Sequence, residues 1–206
     1  MNNNIKVVAF DCDGVLFDTK EVNRMYYNNV LKYMGIPPLT PEQLDYAHMQ
    51  TAHAVLRTFF KDENSYNKAD AFRTAMDYTP FVGYMKIEPF LKTLLKKLKP
   101  KYKLAIATNR TNTMPTVLKE FGLEQYFNYV VCALDVKNPK PDPEQLYKIL
   151  DFFKVEPKQV IYIGDAETDE KASYAAGVPF VAYNNKNLKA DFYISQLNEM
   201  ENIIGV

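Results

Sequence analysis

The apolar residues of this chain follow two patterns, and the change from one to the other falls near residue 88. From residue 17 to residue 87 they recur at the spacing of amphipathic helices, and no convincing strand interrupts them. Outside that segment, short apolar runs alternate with helical patterns. We therefore predict a helical insert at residues 17–87 within an α/β unit formed by residues 1–16 and 88–206.

Three helices are predicted inside the insert. The first stops at Gly35, a residue that commonly ends helices. The second begins at Thr40, where Gln43 completes a capping box, and its apolar face is predicted to continue to Phe59. The third is predicted at residues 69–76.

The alternating segments predict a parallel sheet. The predicted strands are Lys6–Phe10, Lys103–Ala107, Tyr129–Ala133, Val160–Ile163 and Phe180–Tyr183. Single helices separate the later strands, and one of these helices has an apolar stripe running from Phe90 to Leu98. Strands joined by single helices imply right-handed crossovers and therefore a doubly wound α/β fold.

The first predicted strand is followed by two carboxylates, Asp11 and Asp13, and then by Gly14. Like charges this close resist joint ionisation, so we expect the pair to share a proton or to bind a cation. Taken alone, Asp-x-Asp-Gly is a weak signal, because ordinary turns contain the same residues. On this segment by itself, the turn interpretation is favoured.

The other strand ends change that balance, because each carries residues suited to phosphate chemistry. They are Thr108, Asn109 and Arg110 after the second strand, Lys140 in a proline-rich loop after the third, and Asp165 and Asp169 after the fourth. Each has a simpler explanation as a helix cap, a turn residue or a solvated lysine. Together they indicate a site, since the carboxyl ends of parallel strands meet at one edge of the sheet.

The segments DCDGVL, TN, KPDP and GDAETD, in this order, resemble the four motifs of the haloacid dehalogenase superfamily. The resemblance covers essentially the whole chain. An insert directly after the first motif resembles the helical cap of subfamily I, which includes phosphoglycolate phosphatases and β-phosphoglucomutases. The resemblance implies a Rossmann-like sheet of strand order 3-2-1-4-5, which would place Asp11, Thr108 and Asp165 side by side.

The resemblance also implies a Mg²⁺-dependent phosphatase in which Asp11 is the nucleophile and Asp13 the general acid and base. Asp11 would form an aspartyl phosphate, and water activated by Asp13 would hydrolyse it. The side chains of Asp11 and Asp165, with the main-chain carbonyl of Asp13, are implied to hold the Mg²⁺ ion.

Further roles follow from the same resemblance. Thr108 and Lys140 are implied to bind the transferring phosphoryl oxygens, and Asp169 to orient the lysine or a metal-bound water. Asn109 is a candidate substrate contact. For Arg110, substrate contact and loop structure are equally supported.

Three alternatives stay open from the sequence. A phosphomutase uses the same pair of aspartates to return the phosphoryl group to a sugar. A phosphoaccepting signalling domain also groups Asp, Thr and Lys around Mg²⁺, but its acceptor lies in mid-chain. A non-catalytic phosphate-binding or regulatory domain would keep the fold without turnover, and four intact motifs argue against it.

The composition of the chain limits which binding partners and which cellular compartment are expected. Basic and acidic residues balance at 25 each, so neither nucleic acid nor an anionic membrane is expected, and a small phosphorylated metabolite fits better. Two cysteines are too few for a disulfide framework. The amino terminus lacks a signal-peptide pattern, so we expect an unprocessed cytoplasmic protein. The oligomeric state is left open.

Overall fold

The computed structural model describes residues 4–206, except for the side chain of residue 49, and separates the chain into two compact units. One unit contains the chain up to Asp18 together with Ile87–Val206, and it holds the sheet. The other contains Thr19–Lys86 and is helical.

The secondary-structure elements follow one another along the chain with few long connections. The first unit begins with β1 (Val7–Phe10) and β2 (Phe17–Asp18). The second unit then contributes α1 (Lys20–Tyr33), α2 (Pro41–Met49), α3 (Ala52–Phe59), α4 (Glu63–Ala75) and α5 (Thr79–Val82). After these come β3 (Lys86–Ile87), α6 (Leu91–Leu98), β4 (Lys103–Ala107), α7 (Met114–Glu120), β5 (Tyr129–Val131), α8 (Glu144–Phe153), β6 (Val160–Gly164), α9 (Glu167–Ala176), β7 (Phe180–Tyr183), β8 (Phe192–Ile194) and α10 (Met200–Ile204).

The main sheet has six strands in the order β5-β4-β1-β6-β7-β8, and every neighbouring pair is parallel. β1 lies in the middle, with Phe10 opposite Ile106 of β4 and Ile163 of β6. The chain order of the strands reverses at β1, which makes its carboxyl end the switch point where such folds bind ligands. The predicted doubly wound sheet is confirmed, including the relative order of its five predicted strands.

Three short strands were not predicted. The two-residue strands β2 and β3 lie at the ends of the helical insert, where no strand was expected. β8 adds an edge to the main sheet. Only Ile194 of β8 is buried, while Phe192 and Tyr193 are exposed, so three residues give no recognisable alternation.

Helix α6 shows how apolar spacing determines packing in the first unit. Leu91, Leu94, Leu95 and Leu98 recur at helical spacing, and all four are fully buried. The prediction that Phe90 belongs to this stripe is wrong. Phe90 precedes the helix with a φ of 65° and is 46% exposed, because the left-handed backbone there turns its side chain away from the helical face.

The second predicted helix of the insert is in fact two helices. Thr40 caps α2 as predicted, since its hydroxyl accepts from the Gln43 amide at 3.3 Å while the Gln43 side chain accepts from the Thr40 amide at 2.9 Å. α2 ends at Met49, and Thr51 caps α3 by accepting from the Ala54 amide at 3.2 Å. The spacing of apolar residues continues across the break between α2 and α3, because residues of both helices pack in one cluster.

The predicted third helix of the insert corresponds to α4, which begins at Glu63, six residues before the predicted start at residue 69. Asp62 caps α4 by accepting from the Ser65 amide at 2.8 Å. The first turns of α4 are polar, so hydrophobic spacing could not reveal them.

Within residues 4–206, no helix combines the length and apolar character needed to cross a bilayer.

Candidate active site

The carboxyl edge of the main sheet brings the predicted site residues together. Asp11 follows β1, Thr108 follows β4, and Asp165 follows β6. The Asp11 amide donates to the Ile163 carbonyl at 2.8 Å, so ladder hydrogen bonds fix the backbone just past the strand. Because the three strands are neighbours in register, their next side chains enter one crevice.

The turn after Asp11 is shaped for the close approach of another carboxylate. Gly14 has a φ of 78°, and a Cβ atom there would overlap the Asp165 carboxylate. The Gly14 amide donates to the Phe17 carbonyl at 2.8 Å, and this bond closes the turn. The segment is therefore a turn, as the simpler interpretation held, and that turn is also one wall of the crevice.

Lys140 lies at the centre of the buried charges. Its Nζ donates to Asp11 Oδ1 at 2.8 Å, to Asp169 Oδ1 at 2.5 Å and to Tyr162 Oη at 2.8 Å. Burial alone would lower the pKa of Lys140, but Asp11 and Asp169 together raise it above its ordinary value. The lysine is thus a fixed cation inside the site.

Burial raises the pKa of Asp11 from 3.8 to about 7, and the attraction of Lys140 only partly opposes this effect. Burial also raises the pKa of Asp165 well above its ordinary value, and Asp169 and Asp11 add to the rise. Four carboxylates, namely those of Asp11, Asp13, Asp165 and Asp169, face two cations, Lys140 and Arg110. The site is short of positive charge.

A divalent cation fits this arrangement. Asp11, Asp165 and Asp169 each offer a carboxylate oxygen, and the three oxygens lie within 4.8 Å of one another. Carboxylate oxygens are the ligands that Mg²⁺ prefers, and a dication would offset the excess negative charge. Asp11 and Asp165 are better placed as ligands than Asp169, because Asp169 already has donors on both oxygens.

Asp169 holds the loop after β6 in place. Its Oδ1 accepts from Lys140 and lies 2.9 Å from the Tyr162 hydroxyl, and its Oδ2 accepts from the amides of Asp165 at 3.2 Å and Ala166 at 3.1 Å. A Cβ at Gly164 would overlap this carboxylate, so only glycine allows Asp169 to lie so close. From the other side, the Asn185 side chain donates to the Asp165 carbonyl at 2.8 Å.

Asp13 is paired with Arg110. Nε and Nη2 of the guanidinium donate to Asp13 Oδ1 at 3.1 and 2.8 Å, and Nη1 donates to the Thr113 hydroxyl at 3.1 Å. The Arg110 side chain is only 6% exposed. The sequence favoured neither substrate contact nor loop structure for Arg110. In the structure its guanidinium is paired with Asp13, the candidate general acid and base.

Hydrogen bonds join the two loops that carry Thr108 and Lys140. The Asn109 side chain donates to the Lys140 carbonyl at 2.9 Å, and Gln145 donates to the Thr108 carbonyl at 2.7 Å. Thr108 is buried, and its hydroxyl accepts from the Arg110 amide at 3.3 Å. The Asn109 amide nitrogen thus braces a loop, and a substrate contact through this residue stays a prediction.

Two residues of this network escaped sequence reasoning. Tyr162 belongs to a strand of otherwise apolar residues, and Gln145 lies on the buried side of α8. Their one sequence signal was a polar group beside apolar residues, because such a group requires a partner when it is buried. Nothing in the sequence identified that partner.

The two histidines lie outside the site, on different helices. His48 of α2 is hydrogen-bonded to Asn23 at 3.0 Å, and His53 of α3 to the Tyr66 hydroxyl at 2.8 Å. Both hydrogen bonds therefore join residues of the helical unit. Among residues 4–206, the group of side chains arranged to hold a metal ion is the aspartate cluster.

Comparison with known proteins identifies a family. The family model for haloacid dehalogenase-like hydrolases matches residues 8–183. A phosphoglycolate phosphatase from Haemophilus influenzae is 28% identical, over 88% of this chain and 86% of that protein. Each of the four predicted motifs falls inside the matched region.

Solved structures agree in fold. A haloacid dehalogenase superfamily hydrolase of subfamily IA from Geobacter sulfurreducens is 37% identical, with a TM-score of 0.81 over 99% of this chain and 98% of that chain. A β-phosphoglucomutase from Clostridium difficile is 21% identical, with a TM-score of 0.83 over 95% of this chain and 93% of that chain. At that lower identity the likeness shows the fold alone.

Proposed function

Because the chain belongs to the haloacid dehalogenase-like hydrolases, we propose that it is a Mg²⁺-dependent phosphatase that hydrolyses a small phosphomonoester through a phosphorylated Asp11. One observation carries the proposal. The Asp11 carboxylate lies at the sheet switch point, 2.8 Å from the Lys140 ammonium and beside Asp165. A buried carboxylate held by a cation in this way is oriented for attack.

The first step forms a bond between an Asp11 oxygen and phosphorus while the bond from phosphorus to the leaving alcohol breaks. Asp13 gives its proton to the departing oxygen, which would otherwise leave as an unstable alkoxide. A positioned acid contributes roughly 10²–10⁴ in rate. In the second step Asp13 takes a proton from water, the water oxygen attacks phosphorus, and inorganic phosphate leaves with Asp11 restored.

Lys140 and Thr108 bind the transferring phosphoryl oxygens. The Thr108 hydroxyl accepts from the Arg110 amide, so its own proton is available to donate to phosphate. The fixed ammonium of Lys140 offsets negative charge on the phosphoryl group and on Asp11. Both groups are held before substrate arrives, so little reorganisation is needed.

The side chains of Asp11 and Asp165, with the Asp13 carbonyl, would hold Mg²⁺. When bound, the ion reduces the repulsion between an anionic nucleophile and a phosphate dianion. Asp169 positions the loop that carries Asp165, and we assign it a supporting role rather than that of a ligand. In this proposal the helical unit is the inserted cap domain.

The compartment we propose is the cytoplasm. Cys12 and Cys132 are both free thiols, as is usual for cysteines in a reducing compartment.

The two cysteines take no part in the proposed chemistry. Both are buried, and burial raises the pKa of Cys132 to about 11 and that of Cys12 well above its ordinary value, so neither is a reactive thiolate at neutral pH. Cys12 therefore has no chemical part in the reaction despite lying between two catalytic residues.

The test is phosphate release from a panel of phosphomonoesters with Mg²⁺, including phosphoglycolate because a relative is named for it. We expect turnover by the wild type, none by Asp11→Asn, and normal turnover by Asp151→Asn, which changes an exposed aspartate on α8. Acid quenching during turnover should trap a phosphorylated wild-type chain. Phosphatase activity in Asp11→Asn would contradict the proposal, and transfer to a sugar without phosphate release would indicate a phosphomutase.

A further inference from the structure

Tyr162 is a polar residue in the most buried part of the sheet. It lies in the middle of β6 and has no solvent exposure. Its hydroxyl oxygen is 2.8 Å from Lys140 Nζ, 2.9 Å from Asp169 Oδ1 and 2.9 Å from the Ala107 carbonyl. A phenylalanine would pack against the same apolar neighbours and would leave these three groups without the hydroxyl.

The numbers of hydrogen-bond donors and acceptors determine which bonds the Tyr162 hydroxyl accepts and which it donates. An ammonium has three protons and no acceptor, and around Lys140 the described residues supply three acceptors, on Asp11, Asp169 and Tyr162. The Ala107 carbonyl can only accept, and so can the Asp169 carboxylate. The Tyr162 hydroxyl therefore accepts from Lys140 and donates its single proton to one of those two oxygens.

We propose that Tyr162 positions the Lys140 ammonium for phosphoryl transfer, an inference that rests on the proposed function. Of the three acceptors around the ammonium, Tyr162 is the uncharged one, so its bond to Lys140 is weaker than those of the two carboxylates. When substrate binds, the N–H group of Lys140 that donates to Tyr162 becomes shared between the Tyr162 oxygen and a phosphoryl oxygen. The other two N–H groups continue to donate to Asp11 and Asp169, so all three acceptors keep the ammonium in place.

The first test is Tyr162→Phe, assayed with Mg²⁺ and the best ester of the panel. We expect kcat to fall by about 10- to 100-fold with KM changed by less than about threefold, because the ammonium loses its fixed position rather than its charge. The matched control is Tyr102→Phe, which removes a hydroxyl that donates to the Ile204 carbonyl at 2.8 Å. That variant should lose stability but keep kcat. Wild-type kcat in Tyr162→Phe would overturn the proposal.

A second test separates this inference from the proposed function, because it needs no turnover. The free energy of unfolding is measured for the wild type, Tyr162→Phe, Lys140→Met and the double variant. We expect the tyrosine change to destabilise the protein markedly less when Lys140 is already replaced, which shows that the two side chains are coupled. Strictly additive changes would overturn the proposal. A wild type that hydrolyses no ester would instead refute the proposed function.

A third measurement uses the wild type alone and covers the case in which Tyr162→Phe does not fold. In protein with ¹⁵N-labelled lysine, the Lys140 ammonium protons should show magnetisation transfer to the Tyr162 hydroxyl proton. Adding orthovanadate with Mg²⁺, as a mimic of the phosphoryl group, should weaken that transfer while the ammonium signal persists. Absence of the contact in the free protein would overturn the proposal, as would its persistence at full strength with bound vanadate.

Discussion

At the scale of single residues, the pairing of Arg110 with Asp13 fixes the orientation of the carboxylate that we propose as the general acid and base. Two guanidinium nitrogens donate to one oxygen of Asp13, and the arginine is itself anchored on Thr113. We predict that Arg110→Gln lowers kcat by about 10- to 100-fold, because the carboxylate loses a buried charged partner. Steady-state kinetics with the best ester measures the effect.

The control for this prediction is Arg24→Gln. Arg24 also pairs with a carboxylate, that of Glu21, but both side chains lie on the solvent-exposed face of α1. Solvent-exposed ion pairs contribute little to the free energy of unfolding, so the stability and kcat of Arg24→Gln should stay close to those of the wild type. Equal kinetic effects of the two substitutions would show that the position of Arg110 has no special importance.

Gly164 is a second position where one atom decides the geometry. A Cβ there would overlap the Asp169 carboxylate, which in turn holds Lys140 and the Asp165 amide. We predict that Gly164→Ala destabilises the protein by about 1–3 kcal/mol and removes most activity, because Asp169 must move. Gly83→Ala is the matched control, since a Cβ there meets no atom within 4 Å. Chemical denaturation and the phosphatase assay together test both variants, and full activity in Gly164→Ala would contradict the argument.

At the scale of whole elements, two helices end in the same way with different residues. α8 is followed by Lys154 with a φ of 53°, and α9 is followed by Gly177 with a φ of 68°. In each, the following amide donates to a carbonyl five residues back at 3.1 Å. A left-handed backbone is costly for lysine and not for glycine.

We therefore predict that Lys154→Gly stabilises the protein by about 1 kcal/mol and that Gly177→Ala destabilises it by a similar amount. A Cβ at Gly177 would meet only the Pro157 Cβ, at 3.7 Å, which is an ordinary contact distance. The expected loss of stability in Gly177→Ala therefore comes from the left-handed backbone and not from crowding. Denaturant midpoints measure both changes. A loss of stability in Lys154→Gly would mean that contacts of the lysine side chain outweigh its backbone strain.

The same scale shows which elements can be predicted from sequence. The five predicted strands were recognisable because each contains a continuous apolar run, which is fully buried in β1, β6 and β7 and partly buried in β5. β8 was not, because two of its three residues face solvent. The break between α2 and α3 was missed because apolar spacing reports the face of a helix, whereas Thr51, a capping residue, reports its start.

At the scale of the whole molecule, strand order explains why so much of the site could be predicted. Asp11, Thr108 and Asp165 are far apart in sequence, but each follows a strand, and parallel neighbours end at the same edge. The contacts of Arg110 with Asp13 and of Tyr162 with Lys140 could not be predicted. They depend on the paths of long side chains, which the positions of the strands do not determine.

The shortage of positive charge in the site links metal binding to the stability of the fold. Burial raises the pKa of Asp11 to about 7, so between about pH 4 and pH 7 the folded state holds a proton that the unfolded state releases. For this group, stability is therefore greatest at the acidic end and falls as pH rises through that range. The raised pKa of Asp165 acts in the same direction.

A bound dication should reverse this loss, because it favours the ionised carboxylates that protons otherwise neutralise. We predict that Mg²⁺ at about 100 times its dissociation constant stabilises the protein by about 2.7 kcal/mol, and that the same concentration stabilises it less at about pH 5.5 than at about pH 8. Thermal unfolding with and without Mg²⁺ at the two pH values measures this. Asp165→Asn should abolish the stabilisation and Asp151→Asn should retain it. Equal stabilisation of the wild type and Asp165→Asn would place the ion elsewhere, because only a cation bound by the Asp165 carboxylate requires that oxygen.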